Sequence, residues 1–375
     1  MRPKIYLITD TGWWDTDLTV LPYLSPFFDL EVNLIASTDN NKFSDKSISD
    51  FKEKYTIPVT IRKRINRIRN PLNLFIYLKM YFEILLKKGD NSIIHYVYTY
   101  DPYINLIMLL FKPSKMVVSI HDYEEHVGLR NKLRTTFKDM IIKRARFFHF
   151  FSENELSKFL LDHPEKKAFY TPMPLKHFGD LLTYQAIPFE RGKGKKVLLF
   201  FGFIRYYKGL DILIKALSEL KRRDYLLVIA GAADDWNIYK DKVAGNNNIL
   251  SHNFFINDEQ IGAYFKGSDF LVLPYRNATQ SGPALIAINY NLPIIASNLK
   301  CFTNLIDQDI DGFLFEKENV LALCNALEKA LDLTDAEYIK MKGRQKEKMQ
   351  FYKNAELNVG DVFSSFMKEN ILTEE

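Results

Sequence analysis

Two successive series of short apolar segments, separated by a stretch rich in proline and glycine, constrain the fold of this 375-residue chain most strongly. The first series predicts five strands, each ending in polar or turn-forming residues: 4–10, 31–37, 92–100, 116–122 and 147–153. The second series predicts four more strands: 197–202, 226–231, 270–275 and 293–297. Apolar strands that alternate with helices are typical of parallel sheets covered on both faces. The sequence therefore predicts an α/β protein with two doubly wound domains.

The boundaries follow from this alternation. We expect an N-terminal domain over 1–175, a linker over 176–196 and a C-terminal domain over 197–345. A helical segment over 346–375 is expected to pack back on the N-terminal domain. Ligands of open α/β sheets bind beyond the carboxyl ends of the strands, so a cleft between the domains is the expected site.

Cysteine content and hydropathy narrow the class of protein further. Cys301 and Cys324 are the two cysteines, which excludes a disulfide scaffold and a Cys-rich zinc module but leaves a single bridge open. Two thiols suit a reducing cytosol. No run reaches about 18 apolar residues, and the N-terminal apolar stretch is too short for a signal peptide. We therefore expect a cytoplasmic protein.

Positive charge is concentrated in residues 62–146, which hold 17 Lys/Arg against 7 Asp/Glu. Five cations open this segment, just before an aromatic amphipathic run over 72–88: Arg62, Lys63, Arg64, Arg67 and Arg69. Basic residues beside an amphipathic helix suit an anionic membrane surface, although a solvated helix face gives the same pattern. Nucleic acid would need the same charge, but no recognised nucleic-acid motif accompanies it, so no nucleic-acid partner is expected.

The strongest motif joins a predicted strand to a helix at residues 197–220. The strand ends at Gly202, and the loop that follows carries Arg205, Lys208 and Gly209 before a helix begins near Leu210. Helix N-termini favour anions, and lysine and arginine supply charge and hydrogen-bond donors. The loop predicts a phosphate site, with a solvated surface loop as the alternative. Neither a Walker A nor a G-x-G-x-x-G pattern is present.

This stretch resembles the donor-binding loop of family 4 of the GT-B glycosyltransferases, whose pattern is approximately F-x-G-R-x-x-x-x-K-G-x-(D/x)-x-L-I-x-A. Six residues fall on that pattern: Gly202, Lys208, Gly209, Leu213, Ile214 and Ala216. Phe203 stands where the pattern usually has arginine, and Arg205 resembles its substitute. The resemblance covers roughly 195–335, including the strand end at Gly231. It implies the GT-B fold, with two Rossmann-like doubly wound domains facing across a cleft.

One departure concerns the two glutamates that family 4 typically carries around a glycine-led helix, where one contacts the donor sugar and the other the ribose. Thr279 and Ala287 stand at those positions, and the segment resembles a variant of the family with A-T-Q-S-G. Thr279, Gln280 and Ser281 are expected to replace part of the carboxylate contacts with neutral hydrogen bonds. Pro283 removes one amide, which leaves two that are expected to meet phosphate: those of Gly282 and Ala284.

Two features of the first half resemble the same family. His121 ends a predicted strand and resembles the histidine that reaches the donor sugar across the cleft. Gly12 resembles the first-domain loop near donor phosphate and acceptor. Local capping by His121 is the structural alternative. Trp13 and Trp14 are expected either to stack on a sugar or to be core residues.

The resemblance implies a retaining, metal-independent, hexosyl-type transferase that uses a UDP- or GDP-linked sugar as substrate and needs no cofactor. His121, Arg205 and Lys208 are the expected catalytic residues. The domain over 1–175 is the expected acceptor side, and its basic, aromatic segment favours a lipid-linked saccharide acceptor in surface polysaccharide synthesis. This extends the cytoplasmic location to a peripheral position on the inner face of the membrane.

Other interpretations stay open. The missing glutamates favour a non-catalytic sugar-nucleotide-binding or partner subunit, whereas the intact loop at Arg205 and Lys208 opposes it. A GT-B sugar-nucleotide epimerase is a third possibility. Asp15 with Asp17, and the acidic run over 307–311, have the D-x-D spacing of some metal sites, but no further ligands are evident and no metal is expected.

Overall fold

The computed structural model describes residues 2–37, 45–65, 70–123, 132–175 and 186–372. This part of the chain divides into two compact units. The first unit takes 2–123, 132–174 and 354–372, and the second takes 175 and 186–353. Arg67, Arg69 and residues 176–185 of the expected linker lie outside the described residues.

The described residues form thirteen strands and fourteen α-helices. The strands are β1 Lys4–Asp10, β2 Asp29–Ser37, β3 Val59–Arg64, β4 Ser92–Val97, β5 Met116–Ile120, β6 Phe147–Phe150, β7 Lys167–Tyr170, β8 Lys196–Phe201, β9 Tyr225–Ala230, β10 Ile249–His252, β11 Phe270–Leu273, β12 Ile294–Ser297 and β13 Gly312–Phe315.

Helices separate almost all successive strands. They are α1 Trp14–Leu24, α2 Asp45–Tyr55, α3 Asn73–Lys87, α4 Pro102–Met108, α5 Lys132–Arg144, α6 Glu153–Asp162, α7 Leu210–Glu219, α8 Asn237–Val243, α9 Asp258–Lys266, α10 Gly282–Asn289, α11 Lys300–Thr303, α12 Val320–Asp332, α13 Asp335–Leu357 and α14 Val359–Met367. Short helical turns lie at Pro113–Lys115, Tyr206–Lys208 and Lys368–Leu372. In the part of the chain described, no helix is both long enough and apolar enough to cross a membrane.

The first unit is built on a seven-stranded sheet in the order β3-β2-β1-β4-β5-β6-β7, with every described pair parallel. Neighbouring residues of each strand point to opposite faces, so the sheet has a core on each side. Ile5 and Leu7 join the core that also holds α1 and α14, whereas Tyr6 and Ile8 join the core under α3 and α4.

The second unit is built on a six-stranded sheet in the order β10-β9-β8-β11-β12-β13, again with parallel pairs. The strand order reverses between β8 and β11, and in the first unit it reverses between β1 and β4. Such a reversal opens a crevice at the carboxyl ends of the two strands, which is where doubly wound sheets bind ligands. The loops after β8 and β11 are therefore the candidate site of the second unit.

The expectation of two doubly wound α/β units is confirmed. All nine predicted strands exist, although several end two or three residues earlier than predicted. Four strands were not predicted, and each lies at the edge of a sheet: β3, β7, β10 and β13.

The basic stretch that opens the positive segment is edge strand β3 and the residues after it, which revises the expected membrane contact of Arg62 and Arg64. Arg62 donates to Asn33 Oδ1 at 2.8 Å and lies 2.6 Å from a carboxylate oxygen of Glu83. Arg64 lies 3.3 Å from the buried carboxylate of Asp101. Both guanidinium groups are thus paired inside the unit, while Lys63 between them is exposed.

Candidate nucleotide-diphosphate site

Gly202 and Gly231 end the neighbouring strands β8 and β9 and permit a close approach that no other residue allows. Their φ values are +97° and +144°. A Cβ on Gly231 would lie 2.3 Å from the carbonyl oxygen of Gly202. A Cβ on Gly202 would lie 2.9 Å from Nζ of Lys208 and 3.7 Å from Pro283. The bare Cα of Gly202 therefore brings the ammonium and the start of α10 together at the carboxyl end of the sheet.

Lys208 ends a short helical turn and is only 7% exposed. Its Nζ lies 5.6 Å from the centre of the Tyr275 ring. Among the described residues, no carboxylate or hydrogen-bond acceptor is paired with this ammonium. Burial, aided by repulsion from Arg205, lowers the pKa of Lys208 to about 7. A buried cation without a counter-ion is costly, so an anion bound at this position would stabilise it.

The backbone that follows Lys208 is fixed by a glycine. Gly209 has a φ of +69°, and a Cβ there would lie 1.9 Å from the carbonyl oxygen of Pro274. The loop after β8 is therefore packed directly on the loop after β11, and the amide of Arg276 donates to the carbonyl of Tyr207 at 2.7 Å. The position of Lys208 is held from both sides.

A bidentate ion pair braces the same two loops. Arg276 donates to both carboxylate oxygens of Asp211, at 2.9 and 2.6 Å, and Asp211 lies in the first turn of α7. The Arg276 guanidinium also lies 4.1 Å from the centre of the Tyr206 ring. The guanidinium beside Asp211 lowers the pKa of that carboxyl even though burial opposes the shift. Two parallel hydrogen bonds fix orientation as well as distance.

Arg205 has a different environment from Lys208. Its Nε lies 3.5 Å from a carboxylate oxygen of Asp234, and its guanidinium lies 5.0 Å from the centre of the Phe203 ring. Both charged side chains are exposed to solvent. An ion pair of this kind contributes little and exchanges readily, so Arg205 can turn to an anionic ligand at small cost.

The loop after β11 leads into α10 and carries the predicted donor-binding residues. Ser281 caps the helix, and its Oγ accepts from the amide of Ala284 at 3.3 Å. The cap engages the Ala284 amide in this arrangement, and the expected phosphate contact of that amide stays a prediction. Gly282 begins the helix, whose N-terminal dipole favours negative charge. The amide nitrogen and oxygen of Gln280 are buried and have no hydrogen-bond partner among the described residues.

The first unit assembles a separate cluster from its own predicted residues. His121 is buried at the end of β5 and stacks on Trp13, with ring centres 3.8 Å apart and an angle of 2°. Phe151, at the end of β6, stacks on the other face at 4.5 Å. Trp14 is fully buried against Phe51 and is thus a core residue.

Gly12 lies in the turn between β1 and α1. Its amide donates to Oδ1 of Asp10 at 2.6 Å, and a Cβ on Gly12 would lie 2.7 Å from the same oxygen. The turn after β1 therefore places Trp13 beside His121. Residues at three strand ends of one sheet thus form an aromatic stack with the imidazole in its middle.

The sequence predicted that Gly202, Lys208, Gly209 and Gly231 lie at the carboxyl ends of neighbouring strands. The structure also places the start of α10 there. Sequence reasoning missed the aromatic neighbours, Tyr275 under Lys208 and Phe151 against His121. It also missed the Arg276–Asp211 brace. Both aromatic residues stand within two residues of the end of an apolar strand, and that position is the signal that would have identified them.

The acidic run over 307–311 has a structural role. Lys348 of α13 forms ion pairs with Asp307, at 3.2 Å, and with Asp311, and it donates to the carbonyl of Leu305 at 2.6 Å. Among the described residues, no group of three or more His, Cys, Asp or Glu side chains has the arrangement of a metal site. Cys301 and Cys324 are both free thiols.

Solved structures with the same architecture superpose on nearly the whole chain. A sucrose-phosphate synthase of Thermosynechococcus elongatus superposes with a TM-score of 0.73 at 13% identity, covering 98% of this chain and 100% of the other. The Anabaena protein HepE, in complex with UDP and glucose, superposes with a TM-score of 0.71 at 13% identity, covering 98% and 100%. The two parallel sheets and these neighbours define the class: the chain has the GT-B fold, with two Rossmann-like units.

Sequence comparison identifies the family of the second unit. Residues 185–357 match the family model for glycosyl transferases group 1, so the chain carries a domain of that family. An uncharacterized glycosyltransferase of Methanocaldococcus jannaschii is 26% identical over 196 residues, which is 50% of each chain. The chain therefore spans about half the length of this curated relative.

Proposed function

We propose that the protein is a retaining glycosyltransferase that moves a hexosyl group from a nucleotide-diphosphate sugar to a saccharide acceptor without a metal ion. The observation that carries this proposal is the buried ammonium of Lys208 beside the start of α10, an ammonium that has no paired acceptor among the described residues. The family match of residues 185–357 supports the reaction class. Support for the nucleotide comes from the neighbour HepE, which was crystallised with UDP.

The chemistry follows from where charge develops. When the bond between the sugar and the diphosphate breaks, negative charge grows on the departing phosphate. Lys208, Arg205 and the N-terminus of α10 would stabilise that charge, in the role that metal ions fill elsewhere. The acceptor hydroxyl attacks from the face that the leaving group vacates, which retains the anomeric configuration. Its proton passes to the departing phosphate.

The donor sugar has a proposed contact in Gln280. Its amide offers both a donor and an acceptor, and both atoms are buried without a partner among the described residues. Hydroxyl groups of the sugar would satisfy both atoms of the Gln280 amide. The hydroxyls of Thr279 and Ser281 are proposed as further contacts to the sugar. Gln280→Leu is expected to raise the KM for the nucleotide sugar, whereas binding of the free nucleoside diphosphate stays unchanged.

The acceptor is proposed to be a lipid-linked saccharide of surface polysaccharide synthesis, and the first unit is its proposed binding side. His121, in its aromatic stack, is proposed to contact the donor sugar. His121→Ala is expected to lower kcat while leaving nucleotide affinity unchanged.

The deciding experiment is a thermal-shift panel of UDP, GDP, ADP and TDP on the wild type and on Lys208→Met. A ligand at 100 times its Kd stabilises by about 2.7 kcal/mol, so binding is readily seen. Methionine is apolar and similar in volume, so the variant should fold at least as well at pH 7. One nucleotide should stabilise the wild type and fail with the variant. Equal stabilisation of both proteins, or none, would contradict the assignment of the site.

Product analysis with the nucleotide sugar identified in that panel tests the reaction itself. Transfer with retained configuration supports the proposal. Release of an isomerised donor in the absence of acceptor would indicate an epimerase, and binding without turnover would indicate a non-catalytic subunit.

A further inference from the structure

Helix α3 carries a second apolar stripe that the fold does not bury. Four residues spaced at three or four positions pack into the core: Asn73, Tyr77, Met80 and Ile84. Five others at the same spacing form what we call the outer face of α3: Leu72, Phe75, Lys79, Phe82 and Leu86. At 100° per residue, the two stripes lie about 150° apart on the helix.

The outer face of α3 is exposed to solvent although four of its five residues are leucine or phenylalanine. Phe75 is 68% exposed and Leu86 is 88% exposed, and Leu72 and Phe82 are also exposed. A further exposed leucine, Leu110, lies near α3, because its carbonyl accepts from the hydroxyl of Tyr81 at 3.5 Å. Contiguous apolar surface of this kind marks an interaction site more often than isolated leucines do.

The surroundings of the outer face are positively charged. Residues 59–65 and 70–115 hold eight Lys/Arg and three Asp/Glu, and two of those acids are paired with Arg62 and Arg64. Lys79, which lies within the outer face, is exposed. An apolar stripe with an exposed lysine at its midpoint, on a segment of net positive charge, complements a bilayer with anionic headgroups, where each surface cation adds to the attraction.

The position of Lys79 argues against a second copy of this chain as the occupant. Lys79 is the midpoint of the outer face, so a two-fold axis through the stripe would bring two Lys79 ammonium groups together. At a membrane, the same side chain extends its methylene groups along the apolar surface and places its charge among phosphates.

We propose that the outer face of α3 lies in the surface of an anionic membrane, with Phe75 and Phe82 inserted between lipids. The helix would lie parallel to the bilayer along its length of about 22 Å. This relocates the membrane contact from the arginines of β3 to the helix beside them. The proposal gives the first unit access to a lipid-linked acceptor, but it does not depend on the nucleotide site.

Vesicle flotation tests the proposal directly. Vesicles of phosphatidylcholine with about 30% phosphatidylglycerol, a composition that supplies anionic headgroups, are compared with pure phosphatidylcholine. The wild type should float with the anionic vesicles. Phe75→Gln with Phe82→Gln should lower the partition coefficient at least about ten-fold, because two inserted rings are lost. Lys79→Gln should lower it and weaken its salt dependence.

A matched control comes from helix α13. Ile339 and Phe351 are 68% and 69% exposed, so Ile339→Gln with Phe351→Gln removes similar apolar surface elsewhere and should leave binding unchanged. Circular dichroism checks the folding of each variant, and nucleotide binding measured on the same preparations bears on the proposed function alone.

Three results would overturn the membrane proposal. The wild type fails to float with anionic vesicles, or the phenylalanine variant floats as well as the wild type. Alternatively, sedimentation shows that the wild type is a dimer that the phenylalanine variant dissociates, without vesicle binding by either protein.

Discussion

The buried ammonium of Lys208, for which the described part of the chain offers no paired acceptor, predicts that binding of the nucleotide sugar weakens as pH rises above 7. In the free protein, burial lowers the pKa of Lys208 to about 7, so the side chain loses its proton just above neutrality. A bound diphosphate would offset the cost of burial and raise that pKa again. Binding above pH 7 therefore requires uptake of a proton, and affinity must fall as protons become scarce.

The magnitude follows from the same pKa. If the complex stays protonated, the Kd should rise roughly 25-fold between pH 6.5 and pH 8.5, which is about 2 kcal/mol. At pH 8 the protein should take up about 0.9 proton per site on binding. The nucleotide sugar is the right probe, because its diphosphate is esterified at both ends and does not titrate in this range.

Isothermal titration calorimetry in buffers of different ionisation enthalpy measures both quantities. Lys208→Met is the control, since it has no titratable group at this position and should bind weakly with no proton uptake. A wild-type Kd that does not change across this range would refute the reasoning. A pH dependence that the methionine variant shares would place its origin in another group.

Three further predictions concern the free energy of unfolding. They change a glycine of positive φ, the Arg276–Asp211 ion pair and the protonation of a buried histidine. Gly209→Ala should lower the free energy of unfolding by about 3 kcal/mol or more, because its Cβ meets a carbonyl oxygen. Gly245→Ala is the matched control with a φ of +72° and open space, and it should cost about 1 kcal/mol in the same urea titration. Arg276→Lys loses the bidentate contact with Asp211 and should cost about 1–2 kcal/mol, measured by thermal unfolding. Burial lowers the pKa of His95 to about 4, so the unfolded state binds the proton first as pH falls below 6.5. The resulting loss of about 2 kcal/mol between pH 7 and pH 5 should be absent in His95→Gln, as followed by urea unfolding at each pH.

The strands that were predicted and those that were missed differ in position within their sheets. Each predicted strand has a neighbouring strand on both sides. It is a continuous apolar run because helices cover both faces of the sheet. The missed strands β3, β7, β10 and β13 are all edges. β3, with the sequence VTIRKR, shows why: edge strands are short and carry charge, which protects them from pairing with other chains. A search for apolar runs therefore misses a charged edge such as β3, whereas the missed edge strand β13, with the sequence GFLF, is apolar and is not explained in this way.

The candidate site divides in the same way between what the sequence encodes locally and what the fold assembles. The order strand, glycine, basic loop, helix is local, so Gly202, Lys208 and Gly209 could be predicted from the sequence alone. Trp13 stacks with His121, which lies more than 100 positions further along the chain, and His121 stacks with Phe151. Only the strand order of the sheet shows that these residues meet. Burial of Lys208 also depends on a residue distant in sequence, Tyr275.

The basic segment shows how strand geometry decides what a charge can do. Arg62 and Arg64 are two positions apart on a strand and therefore point to one face, where Glu83 and Asp101 meet them. Lys63 points the other way and is exposed. A count of charges along the sequence treats all three alike, although only the lysine remains available to a partner.

Helix α3 extends the same argument to apolar residues. Its sequence has two stripes at helical spacing, and either one alone would suffice to hold the helix on the sheet. The fold buries the stripe that contains Tyr77 and Met80 and leaves the stripe that contains Phe75 and Phe82 in solvent. Exposed phenylalanine adds nothing to the stability of the unit and increases its tendency to aggregate. Two such rings beside Lys79 are therefore best explained by a surface that they enter, and the vesicle experiment decides whether that surface is a membrane.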